Sequence, residues 1–120
     1  MHELSVALTL VEAACEKVGG LEDVRVEAVH VRLGPLAGVV KEALSFCFEV
    51  TARGTALEGA RLEIEDVPLV VFCHDCDVER QLSSMQRFRC PVCDEPTPDV
   101  VHGRELELTA LEVSDRATHH

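Results

Sequence analysis

Four of the six cysteines stand in two pairs, Cys73-x2-Cys76 and, after thirteen intervening residues, Cys90-x2-Cys93. This is the spacing of a tetrathiolate metal site, in which each pair makes a knuckle and the intervening hairpin brings the knuckles together. Zinc suits such a donor set because a borderline-soft d10 ion accepts four thiolates tetrahedrally. Four thiolates also fill the coordination sphere, so no position is left for a water nucleophile and the expected role is structural. Rubredoxin-like iron is the main rival, since Cys90-Pro91-Val92-Cys93 carries the proline common in such knuckles, and a redox dithiol is a third reading.

The remaining chemistry-bearing side chains are less organised. His74 lies inside the first knuckle, where it either exchanges with a thiolate as ligand or points to solvent; solvent is the reading adopted. Cys15 and Cys47 fall within the apolar faces of two expected helices and read as small core hydrophobes. His30 and His102 sit in or beside strands with no partner at ligand spacing. His119 and His120, native or the remnant of a purification tag, are set aside.

The second candidate site is the start of the chain, Met1-His2-Glu3. A histidine at position 2 places an imidazole, an α-amine and the deprotonatable amide between them within chelate-ring distance. That arrangement suits a square-planar ion, and Ni2+ and Cu2+ both favour tetragonal nitrogen and oxygen donors. The amine, with a pKa only about half a unit to one unit above neutral, gives up its proton readily. Methionine excision requires a small second residue, so Met1 is expected to be retained and to supply the amine.

These groups must be held by the rest of the chain. Leu4, Leu8, Val11, Cys15 and Val18 advance by 4, 3, 4 and 3, predicting an amphipathic helix that Gly19-Gly20 terminates. Val24 to Leu33 is β-rich but changes parity, which predicts a bulge or a late start near Ala28. Residues 39 to 50 are densely apolar, as in a helix pressed against a sheet, and Arg53-Gly54 ends it. Leu62, Ile64 and Val67 bracket a strand that stops at Pro68, and a last strand runs from Arg104 to Val113, again with a change of parity. The fold class expected is therefore α+β, with two helices packed on a small three-stranded sheet and a zinc-ribbon-like module inserted before the final strand. Residues 1–68 and 99–120 form the α+β domain, and residues 69–98 form the module. The module holds three of the five prolines. It lies below the roughly 40 residues at which an apolar core alone suffices, so metal binding must supply folding free energy.

Composition narrows the function classes. With 22 acidic and 11 basic side chains in 120 residues, the formal charge is 11 − 22 = −11. Phosphate backbones repel a protein of this sign, which argues against nucleic acid. The apolar runs at residues 33–40 and 67–73 fall far short of the roughly 20 residues of a membrane span. The start of the chain lacks the basic and apolar regions of a signal peptide, so a cytoplasmic protein with reduced cysteines is expected. No Ser/His/Asp set or open metal site is legible, so the chain reads as a non-enzyme.

Met1-His2-Glu3-Leu4-Ser5, the strand end Val31-Arg32-Leu33-Gly34, the stretch Leu44-Ser45-Phe46-Cys47-Phe48 with the following Gly54 and Gly59, and the paired knuckles together resemble the HypA/HybF family over nearly the whole chain, in order. The resemblance implies an α+β nickel-binding domain with an inserted zinc domain, acting in maturation of [NiFe]-hydrogenases with the HypB GTPase and the hydrogenase large subunit, and in some bacteria of urease. It implies that His2 carries nickel with the Met1 amine, that Glu3 supports the site, and that Cys73, Cys76, Cys90 and Cys93 hold zinc, in a monomer or weak homodimer. Some relatives add an acidic side chain where this sequence has Gly38-Val39-Val40, leaving the amide or carboxylate of Glu3 as candidates for the fourth nickel donor. Two other classes stay open beside it: a zinc-ribbon adaptor with an inert N-terminus, colourless and indifferent to nickel, and a red rubredoxin-like electron carrier.

Overall fold

The computed structural model describes residues 2–19 and 24–115. In chain order they form α1 (His2–Val18), β1 (Val24–Leu33), a 3-10 turn (Pro35–Ala37), α2 (Lys41–Ala52), β2 (Arg61–Asp66), β3 (Leu69–Cys73), β4 (Val78–Leu82), β5 (Asp99–His102) and β6 (Leu106–Asp115). Two three-stranded sheets result, ordered β2-β1-β6 and β4-β3-β5. The chain divides into two compact units: residues 1–31, 39–64 and 108–120 form the first, and residues 32–38 and 65–107 form the second. The expected three-stranded sheet with two helices packed on it is present, and the second sheet belongs to the zinc-ribbon-like part of the chain.

In the first unit α1 and α2 lie against each other. The buried stripe of α1 is Ala7, Leu10, Val11, Ala14 and Val18, whereas Leu4 and Leu8, expected in the core, are 47% and 48% exposed. Ala7 and Ala14 are fully buried. A small side chain permits close approach of a neighbouring element, so the alanines rather than the larger leucines define the inward face. The second helix is also less buried than its composition predicts. Leu44, Phe48 and Ala52, spaced by four, are buried, while Phe46 is 67% exposed and Val50 39%. Only one stripe of α2 faces the core, and Val39 and Val40 precede the helix instead of opening it. Gly54, at φ 77°, adopts the left-handed conformation that ends it.

The parity change expected in β1 is present, because Val26 and Ala28 are buried on one phase and Val29, Val31 and Leu33 on the other. The strand begins at Val24, so a late start does not explain it.

The second unit is built on a β3–β4 hairpin, with Leu69 opposite Leu82, Val71 opposite Arg80 and Cys73 opposite Val78. Leu69, Val71 and Leu82 form its apolar core, backed by Leu36, Phe88 and Val100. Gly34 and Gly103 meet closely here. The amide of Gly34 donates to the Glu105 carbonyl at 2.8 Å, and that of Leu36 to the Gly103 carbonyl at 2.7 Å. A Cβ on Gly34 would stand 2.2 Å from the Gly103 oxygen, a distance no side chain tolerates. Gly103 itself sits at φ 135°.

Candidate metal centres

The hairpin carries Cys73 at the end of β3, and the chain turns through His74 and Asp75 to Cys76 before β4 starts at Val78. The turn is closed by the Asp77 amide donating to the Cys73 carbonyl at 2.8 Å, with Asp77 at φ 59°. The second pair repeats this device. The Asp94 amide donates to the Cys90 carbonyl at 2.9 Å and Asp94 lies at φ 64°. In each knuckle a backbone amide also points at the leading sulfur: Cys76 N–H to Cys73 Sγ at 3.3 Å, and Val92 N–H to Cys90 Sγ at 3.4 Å. Sequence reading did not single out these aspartates, although both pairs read Cys-x2-Cys-Asp. Aspartate tolerates the left-handed region better than most side chains, and that recurrence was the available signal.

The four sulfurs lie within 4.8 Å of one another, with Cys73 and Cys93 at 3.5 Å and Cys76 and Cys90 at 3.9 Å. Four thiolates bound tetrahedrally at about 2.3 Å would be about 3.8 Å apart along each edge, so the observed separations bracket those of a metal tetrathiolate. They are far too long for a disulfide. Cys73 and Cys90 are buried, and Cys76 and Cys93 are half-buried.

The thiols influence one another as a set. Burial pushes Cys90 up, but the amides of Cys93 and Val92 and the neighbouring side chains of Cys93 and Cys73 outweigh it and bring the thiol down to about 6. Cys93 accepts from the Glu95 amide, which lowers it, yet burial and the sulfurs of Cys73, Cys90 and Cys76 push it up to about 12. One thiolate forms easily in such a cluster, and further ones are opposed by like charge unless a cation offsets it. Among the described residues this is the only cluster of three or more such ligands that could hold a metal ion.

His74 is exposed and pairs with Asp99 rather than turning towards the sulfurs, its ring set edge-on to Phe72 at 4.8 Å. His30 and His102, read from sequence as lacking partners, each find a carboxylate: His30 meets Glu112 at 2.5 Å and His102 meets Glu105 at 2.9 Å. The first partner lies 82 residues away in sequence, out of reach of spacing arguments. Cys15 and Cys47 are half-buried.

At the start of the chain, His2 opens α1 with its side chain exposed. Glu3 is half-buried, and its Oε2 accepts a hydrogen bond from the Val40 amide at 3.1 Å. Val40 is the N-cap of α2 and makes no side-chain cap, so a carboxylate from α1 stands at that helix terminus instead. Negative charge is favoured at a helix N-terminus. The Val40 amide, followed by the amide of Glu3 itself, holds the carboxyl below its ordinary 4.5. Met1, His119 and His120 lie outside the described residues.

A partly buried four-cysteine cluster that joins the β3–β4 turn to a second knuckle, in an α+β chain with a second three-stranded sheet, defines a small metal-binding protein. Residues 1–113 match the family described as "Hydrogenase/urease nickel incorporation, metallochaperone, hypA", and the chain belongs to that family. It is 54% identical over 112 residues to the hydrogenase maturation factor HypA of Chloroflexus aurantiacus, covering 93% of this chain and 98% of that one. It is 52% identical over 115 residues to that of a Roseiflexus species, covering 96% and 94%. Among solved structures, that of the Ni metallochaperone HypA from Helicobacter pylori is similar with a TM-score of 0.65 at 25% identity, over 93% of this chain and 97% of that one.

Proposed function

We propose that this protein is a nickel metallochaperone that takes Ni2+ at its N-terminus and delivers it during [NiFe]-hydrogenase maturation, while a structural Zn2+ is held by Cys73, Cys76, Cys90 and Cys93. The observation that carries the reading is family membership over residues 1–113, which includes both candidate sites. In this reading the nickel donors are the amine of Met1, the imidazole of His2 and a group of Glu3. Because α1 starts at His2, the first amides have no carbonyl four residues earlier to bond. An amide nitrogen that must lose its proton to bind a square-planar ion is thereby free of a competing helical bond. The Glu3 carboxylate, on α1 and anchored by the Val40 amide at the start of α2, supports the site beside His2.

Zinc, when bound, supplies a fourfold crosslink between the knuckles and no reactive position, so the module spanning residues 69–98 is structural. The chain acts in the cytoplasm as carrier rather than enzyme, as a monomer or weak homodimer. Its partners are the HypB GTPase and the hydrogenase large subunit; nucleic acid and membranes are not among them. No helix among the described residues is long and apolar enough to cross a bilayer.

The test is calorimetric nickel titration, with elemental analysis, of protein beginning at Met1. One nickel and one zinc per chain are expected. A few residues added before Met1, which turn the amine into an amide, should abolish nickel uptake and leave zinc in place. Unchanged nickel affinity in the extended protein would exclude the amine as donor.

A further inference from the structure

In an antiparallel pair, directly opposed residues project from the same face of the sheet. The register of β3 with β4 therefore puts Arg80 on the face that carries Leu69, Val71, Cys73 and Leu82, the buried face of the hairpin. Val71, opposite Arg80, is wholly buried. A guanidinium is costly there unless an anion meets it. Among the described residues no carboxylate pairs with Arg80. The neighbouring cations are otherwise engaged, Arg87 with the Asp94 carboxylate at 3.2 Å and Arg89 with the Asp94 carbonyl at 2.9 Å. The Nε of Arg80 is buried and has no hydrogen-bond partner, one of two such side-chain atoms among the described residues. What the guanidinium does meet is sulfur: its side chain interacts first with that of Cys76 and then with that of Cys90.

We propose that Arg80 is the positioning residue of the four-cysteine centre, a half-buried cation that offsets the charge of the metal tetrathiolate and donates N–H···S hydrogen bonds to Cys76 and Cys90. The inference rests on the zinc reading of that centre. A divalent ion with four thiolates carries 2 − 4 = −2, and in a low-dielectric pocket that charge needs a counter-charge as much as the guanidinium needs an anion. Cys76 and Cys90 belong to different knuckles, so one planar group bridges both halves of the site. Arginine suits the task because its donors form a rigid fork and its charge persists at any pH the protein meets.

The experiment compares wild type with Arg80→Met, Arg80→Gln and Arg80→Lys, using Zn2+ competition against a chromogenic chelator, release kinetics, and the charge-transfer bands of the Co2+-substituted protein. Arg80→Met should lower zinc affinity about 10–100-fold, the range for loss of a group that supports metal ligands, and speed release correspondingly. Its cobalt–sulfur bands should move to lower energy, because a hydrogen bond stabilises the sulfur electrons. Arg80→Gln should show the same loss, and provides the measurement if the methionine variant does not fold. Arg80→Lys should recover part of the affinity through its charge. Melting in excess chelator should be no lower for the neutral variants than for wild type, since the unit that carries Arg80 has then lost the metal it folds around. Neutral variants that keep zinc affinity within about twofold and unshifted cobalt bands would overturn the inference. So would an equal loss of melting temperature with and without metal, which would assign Arg80 to packing alone. A wild-type protein whose zinc shows fewer than four sulfur ligands by X-ray absorption would instead overturn the zinc reading, and this inference with it.

Discussion

The knuckles and the first turn of α1 differ in how many parts of the chain must converge. The thiolate centre draws on two segments thirteen residues apart, each shaped by an aspartate in the left-handed conformation, and in the zinc reading its four sulfurs would leave no vacant coordination position. The first turn contributes neighbouring residues only, with His2 exposed and Glu3 tied to the start of α2. A site of the first kind holds its ion as part of the fold. A site of the second kind, in our reading, holds an ion that can be handed on, because its donors are at the surface and few contacts are lost when the ion leaves. Burial and saturation make a metal structural; exposure and an incomplete donor set make it cargo.

The largest expected effect breaks the first side of this contrast. Cys93→Ala removes one of four thiolates, and structural zinc supplies about 10–16 kcal/mol of apparent binding free energy, comparable with the whole stability of a domain. Zinc content should fall to nearly zero and amide protection in residues 65–107 should collapse, whereas the helical signal of α1 and α2 persists. Loss of protection throughout the chain would show that the two units fold as one. The second side is broken by His2→Ala, which should abolish nickel binding in a calorimetric titration and leave zinc content and melting unchanged; His119→Ala should alter neither.

Smaller effects sharpen the comparison. Gly34→Ala forces a Cβ against the Gly103 carbonyl and should cost about 1–3 kcal/mol by denaturant titration, with zinc still bound. Acidification should act on the same unit. The His102 imidazole, and then the Gly103 amide, hold Glu105 at about 2, down from an ordinary 4.5. A carboxyl depressed by folding contributes stability above the unfolded pKa, and that contribution disappears as pH falls from about 4.5 towards 2. In the metal-loaded protein, where this unit is folded, Glu105→Gln should flatten the melting profile across this window relative to wild type, the acid loss of metal being common to both proteins. An unchanged slope would remove Glu105 from the acid response. The smallest effect concerns the knuckle turns: Asp94→Gly should be nearly neutral, while Asp94→Val should cost about 1–2 kcal/mol because a β-branched side chain resists positive φ.

Much of this protein was legible as sequence, and each legible part depends on short range. The Cys-x2-Cys pairs announced the thiolate centre because a knuckle is a local turn, and the two helices, the parity change near Ala28 and the stop at Gly54 follow from periodicity and from glycine's freedom at positive φ. His2 enters the nickel reading through its position alone. The β3–β4 hairpin was readable only as the link that joins the knuckles, because its core face interrupts its apolar residues with Arg80.

Tertiary structure decided what distance along the chain conceals. Leu4 and Leu8 face outward because Ala7 and Ala14 permit the closer approach, a choice made by the partner surface and invisible to a rhythm of apolar letters. Gly34 owes its identity to Gly103, Glu3 its partner to Val40, and His30 its carboxylate to Glu112. Arg80 reads as one more surface cation until strand register turns it inward beside Cys76 and Cys90. Local conformational preference is written in neighbouring residues, whereas burial and electrostatic partnership depend on which distant segments the fold brings together.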